Sequence, residues 1–212
     1  MNHESPRYWS GRSLHPSLRS LFRRTSVAAL IGATALSIAS QAVAQESASS
    51  VPSPCDFVTS GGFVVTDSGK KANFGIHGGC KNGEFWGHVN FMDHTTGYSI
   101  NSIAITGYLA PLPGSPTRDI CGMAVTNGNE PQPVWFRVRL TDVGESGTGD
   151  EFGLRLSTGY AVTTRTLNAG RNGGGDVQLH EPNASTVGPL MPPDDTVMCN
   201  GLPEPSAIIS VE

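Results

Sequence analysis

Between Val134 and Leu156 the chain reads VWFRVRLTDVGESGTGDEFGLRL. Val134, Phe136, Val138 and Leu140 alternate with Trp135, Arg137 and Arg139, and Phe152, Leu154 and Leu156 alternate with Gly153, Arg155 and Ser157. A period of two puts every second side chain on one face of a strand, so each run offers one apolar face. Two such runs around a glycine- and acid-rich loop predict an antiparallel hairpin with a single buried face. The loop is too long for a two-residue turn and must carry structure of its own.

Shorter alternating runs at 57–66, 73–77, 84–93, 99–109, 119–126, 162–167 and 176–180 are separated by turn signals such as Asp67-Ser68-Gly69, Gly78-Gly79 and Asn82-Gly83. Helical periodicity is absent. Eight or nine short strands predict an all-β fold, an antiparallel β-sandwich of jelly-roll type, spanning 57–180. No repeat of about 20 to 50 residues is visible, which argues against a propeller or solenoid. After His180, prolines 182, 189, 192, 193, 203 and 205 break the pattern. Proline cannot donate to a ladder, so 181–212 is expected to be mostly irregular, with 207–211 as a candidate last strand.

The first 44 residues have a different character. Arg7, Arg12, Arg19, Arg23 and Arg24 precede a weakly apolar run at 27–39, and Ala42-Val43-Ala44 offers small residues for cleavage. This is the pattern of a secretory signal peptide, and the apolar run is short of the roughly 20 residues a spanning helix needs. Residues 45–56 then read as a polar linker. Removal of the leader leaves nine Lys+Arg (14 less five) and 17 Asp+Glu (18 less one), a net charge of −8 against −4 for the whole chain. That balance excludes nucleic acid, which requires cations to neutralise phosphates, and suits a secreted or periplasmic protein with no transmembrane segment after cleavage.

All four cysteines, Cys55, Cys80, Cys121 and Cys199, follow the leader. An even number in an exported chain predicts two disulfides. Of the three connectivities, Cys55–Cys199 with Cys80–Cys121 is expected, the first tying the termini.

Chemistry has two candidate places. Asp142, Glu145 and Asp150 lie in a glycine-rich loop and are candidate calcium ligands, calcium being the one cofactor the chain suggests. The alternative is a solvated turn whose acids cap backbone N–H groups. In the second place, Trp86 and His88 precede Asn90 and His94 on one strand face, with His180 at the end of another strand. His88, His94, His180, Trp86 and Trp135 are candidate ligand contacts. His88 and His94 are about 20 Å apart on a regular strand, too far to share an ion unless it bends. No G-x-S-x-G, H-E-x-x-H or Cys–His motif is present, so no catalytic residue is assigned.

Residues 71–108, 141–160 and 173–180 together resemble the post-COAP domain of bacterial secreted proteins. The resemblance is carried by K-A-N-F-G, by G-H-V-N-F-M-D-H, by the T-D-x-G-E-x-G-x-x-D-x-F hairpin loop and by V-Q-L-H, with Ser146 in place of the family's proline. It implies an all-β domain of secreted or surface proteins and no established activity.

The expectation is a secreted, non-catalytic β-sandwich that binds a cell-surface, matrix or glycan partner. Its alternatives are a hydrolase or lyase on an extracellular polymer, using His88, His94 or His180 with an acid, and a structural envelope protein.

Overall fold

A computed structural model describes residues 49–144, 147–169 and 173–205. The expected leader at 1–44, the candidate strand at 207–211, and Glu145 and Ser146 lie outside these residues.

Nine strands form: β1 (Phe57–Val65), β2 (Lys71–Lys81), β3 (Glu84–Asp93), β4 (Ser99–Leu109), β5 (Thr117–Thr126), β6 (Val134–Thr141), β7 (Glu151–Leu156), β8 (Ala161–Thr166) and β9 (Gly173–His180). The alternating pattern of burial follows the alternating sequence: in β2, Ala72, Phe74 and Ile76 are buried while Lys71, Asn73 and Gly75 are exposed. The strands join in one sheet ordered β8-β7-β6-β5-β4-β3-β2-β1-β9, antiparallel at every pairing. Strands β1 to β8 make an up-and-down meander, and β9 returns to the far side of β1.

The sheet curls until its inner faces meet as the two layers of a sandwich do. Phe74 of β2 stacks on Phe152 of β7 at 4.2 Å between ring centroids, and Phe91 of β3 lies 6.1 Å from the same ring. Val89, Ile120, Phe136, Val138, Leu140 and Leu154 fill the space around them. Each fully buried side chain of this size contributes about 1.5–3 kcal/mol, which makes this interior the main source of stability. The all-β antiparallel architecture expected from the alternation is therefore present, its layers being opposite walls of one continuous sheet.

The curl brings the β6–β7 loop alongside β9. Asp150 accepts the amide of Val177 at 2.7 Å, Asp142 accepts that of Leu179 at 2.8 Å, and Asn168 Oδ1 accepts that of Gly175 at 3.3 Å. Three successive outward N–H groups of an edge strand thus end on side-chain oxygens, where another strand would otherwise pair.

The segment before β1 is part of the domain, although the sequence reads as a tether. Ser50 and Ala110 form a bridge, Cys55 and Asp56 are buried, and Arg118 and Tyr108 both donate to the Asp56 carboxylate.

The disulfides require a correction. Cys55 pairs with Cys80, and Cys121 pairs with Cys199. Facing direction is the reason. Cys80 lies in the inner core with Cys55, whereas Cys121 lies in a second cluster with Leu109, Met198 and Cys199 on the outer side of β4 and β5. The expected Cys80–Cys121 bridge would have to pass through the sheet. Register also places Cys55 beside Cys80, since Phe57 opposes Gly79 and the Cys80 amide donates to Asp56 O at 3.1 Å.

The proline-rich tail is strapped across the outer face of β4–β6. It contains a four-residue helix, α1 (Asp195–Met198), whose N-cap Asp194 accepts from Val197 N. Asp119 of β5 takes ion pairs from Arg137 at 2.6 Å and Arg139 at 2.7 Å. Arg139 extends the network to Glu204 of the tail at 2.8 Å, and Arg137 donates to Leu202 O at 3.0 Å. These arginines are the polar partners of the apolar residues in the hairpin alternation, and the tail is what they hold.

Candidate functional site: a glycine-floored groove on the outer sheet face

Asn82 and Gly83 have φ values of +53° and +89°. Positive φ at both central residues is the type I′ turn, whose twist matches two-residue hairpins. Lys81 therefore opposes Glu84, and each step of two along the strands brings the next outward pair together: Gly79 with Trp86, His77 with His88, Gly75 with Asn90. On the other side of β2, Phe57 opposes Gly79, Thr59 opposes His77, and Gly61 opposes Gly75. Beyond β1, His180, Gln178 and Asp176 of β9 oppose Phe57, Thr59 and Gly61.

The outer face of β9-β1-β2-β3 is thus a grid of three rows. The first row is His180, Phe57, Gly79 and Trp86. The second is Gln178, Thr59, His77 and His88, and the third is Asp176, Gly61, Gly75 and Asn90. Two adjacent glycines in the third row leave a hollow between flanking polar side chains. A groove of about 670 Å³ results, walled by Trp86, His77, His88, Asn90, Asp176 and Gln178. A methyl group built on Gly75 meets nothing within 4 Å, and one on Gly61 meets only Phe74 O at 4.0 Å. The floor is open because these positions lack side chains.

The walls are fixed by contacts of their own. Trp86 donates from Nε1 to Cys80 O at 3.1 Å, and its ring centroid lies 5.3 Å from that of His77 and 6.2 Å from that of Phe57. His180 stacks on Phe57 at 4.3 Å and shares a hydrogen bond of 2.8 Å with Thr59 Oγ1. His88 Nδ1 is 3.2 Å from Ser102 Oγ, which also accepts the Val89 amide. Burial, and then the neighbouring His88, hold the His77 imidazole below its ordinary value of 6.5.

The structure gathers some of the sequence candidates and separates others. Trp86, His88 and His180 share the outer face of β9-β1-β2-β3. His94 lies past the end of β3, hydrogen-bonded to Asn73 Oδ1 at 2.8 Å. Trp135 is elsewhere, in an apolar groove of about 570 Å³ with Phe85, Ile105, Val197, Met198 and prolines of the tail. The hydrogen-bond partners of His88, His94 and His180 are a serine, an asparagine and a threonine, and these imidazoles do not meet. Asp142 and Asp150 are engaged with backbone amides, as described above, and Glu145 lies outside the described residues. Among the described residues, no group of three or more His, Cys, Asp or Glu is placed to hold a metal ion.

Sequence reasoning passed over His77, Gly61, Gly75, Asp176 and Gln178. The signal that finds them is Asn82-Gly83. A two-residue turn there fixes His77 opposite His88 by counting alone. Comparison with family models, with curated proteins and with solved structures gives no match.

Proposed function

We propose that this chain is an exported, non-catalytic β-domain that binds a glycan chain of a cell surface or matrix in the groove on β9-β1-β2-β3. The observation that carries the reading is the pairing of an open glycine floor with aromatic and amide walls. A sugar ring presents an apolar C–H face and a rim of hydroxyls. Trp86 and His77 offer ring surface to the first, and Asn90, Gln178 and Asp176 offer donors and acceptors to the second. Two disulfides support residence in an oxidising compartment. Among the described residues no helix is long and apolar enough to cross a membrane. The resemblance to the post-COAP domain agrees with an exported all-β protein and adds no activity.

Two substitutions test the groove without disturbing the core. Gly75→Leu plugs the floor, its Cβ meeting nothing within 4 Å and its side chain rising into the groove. Trp86→Ala removes the largest ring of the wall. On a panel of bacterial and plant polysaccharides in affinity electrophoresis, the wild type is expected to be retarded by at least one polymer. Each variant should weaken that binding by roughly tenfold or more, about 1.4 kcal/mol, with an unchanged thermal melt. Retardation identical in wild type and both variants rules out this groove as the binding surface.

A further inference from the structure

We propose that His77 and His88 together chelate a single divalent transition-metal ion of the Zn²⁺–Cu²⁺ class on the outer face of the β2–β3 hairpin. The two residues are direct cross-strand partners, and their ring centroids are 6.1 Å apart with planes inclined by 37°. An imidazole bound through one nitrogen keeps its centroid roughly 3.2 Å from the ion, so two imidazoles sharing an ion lie within about 6.4 Å of each other. The observed separation is inside that span, and a small rotation of either ring narrows it toward tetrahedral geometry.

The site has the orienting contact that ligating histidines usually have. Ser102 Oγ of β4 lies 3.2 Å from His88 Nδ1, which leaves Nε2 of the same ring as the free ligating nitrogen. The type I′ turn at Asn82-Gly83 sets the register, so both ligands stand on rigid strands and need little ordering on binding. Two neutral nitrogen ligands without a thiolate select borderline ions, with Cu²⁺ above Zn²⁺, over calcium or magnesium, which prefer oxygen. The remaining coordination positions face the groove, where water, or a donor atom of a bound ligand, completes the shell.

This inference does not rest on glycan binding, and its test contains no glycan. Tag-free protein is titrated with Cu²⁺ and with Zn²⁺ by calorimetry at pH 7.5, beside the variants His77→Ala, His88→Ala, Ser102→Ala and Trp86→Ala. Saturable binding of one ion per chain is expected for the wild type and for Trp86→Ala. Each histidine variant is expected to lose it, and Ser102→Ala to weaken it by roughly tenfold. Metal-free melts of all variants report whether each is folded, and His88→Gln supplies a second, bulk-preserving variant should His88→Ala not fold. Binding of equal stoichiometry and affinity in the wild type and in both histidine variants overturns the assignment, as does the absence of saturable binding in the wild type.

Discussion

Asp93 ends β3 with its carboxylate turned inward, and it lacks a cationic partner among the described residues. It is held instead by the Thr95 amide at 2.8 Å and by the Tyr160 hydroxyl at 3.0 Å. Burial by itself pushes this acid up. The hydrogen bonds from Thr95 and Tyr160 outweigh it and leave the group below its ordinary value of 3.8. The unfolded chain therefore takes up the proton first as the pH falls. The stabilisation from Asp93 is complete above the ordinary carboxylate value and is lost as the pH drops through the lower, folded-state value. Asp93→Asn keeps the shape and removes the charge that strengthens both bonds. It is expected to cost about 1–2 kcal/mol at pH 7 in chemical denaturation, and progressively less as the pH is brought below 3.8. A cost independent of pH between 7 and 2.5 would show that shape, and not charge, is what the site uses.

At the scale of elements, the informative feature is how β9 ends the sheet. An unpaired edge strand invites pairing with other chains, and here the β6–β7 loop supplies carboxylates in place of another strand. Asp150 is the central member: it is fully buried and joins the Val143 amide at 2.9 Å to the Val177 amide at 2.7 Å. Asp150→Ala strands the buried Val177 amide and releases the Val143 amide toward solvent, and should cost about 2 kcal/mol in urea unfolding. It should also raise amide exchange at Val177 before that at the β1–β2 pairing. Exchange unchanged at Val177 would mean that the loop does not hold the edge. The alternation of the 134–156 hairpin made the strands legible, and the three acids were legible as a cluster. The β9 partners of Asp142 and Asp150 were not, because Leu179 and Val177 lie more than twenty residues away in the chain, and only the curl of the sheet brings them near. The groove was half legible. Trp86, His88 and His180 stood out as residue types, whereas the floor glycines, Gly61 and Gly75, fall inside the strand runs 57–66 and 73–77 and offer no side chain to single them out. The turn at Asn82-Gly83 was visible as a break in the chain, and treating it as a two-residue hairpin converts it into a register and brings His77 into view.

For the molecule as a whole, the second bridge decides how the tail contributes. Cys121 and Cys199 are separated by 78 residues, Cys55 and Cys80 by 25. If a bridge acts mainly by restricting the unfolded chain, the longer loop contributes more, about 4.5 kcal/mol against about 3.5 for the shorter. The two bridges also fasten different things. Cys55–Cys80 pins the segment before β1 to the inner core, next to the buried Asp56–Arg118 pair. Cys121–Cys199 clamps the tail on the outer face, where Glu204 meets Arg137 and Arg139. Paired Cys121→Ser and Cys199→Ser substitutions should therefore lower the denaturation midpoint most and make the 190–205 segment sensitive to protease. The groove on β9-β1-β2-β3 should keep its ligand affinity, because the stretch clamped by Cys199 packs on Leu109 and Cys121, while the tail residues that accept from the Asn82-Gly83 turn, Ser185 and Val187, precede the 190–205 segment. The Cys55→Ser and Cys80→Ser pair should do the reverse, since Cys80 O accepts from Trp86 and Phe57 lies two residues after Cys55. A tail that stays protected after loss of Cys121–Cys199 would assign the strap to the arginine network, and the remaining stability would then fall with salt, which screens ion pairs and leaves disulfides untouched.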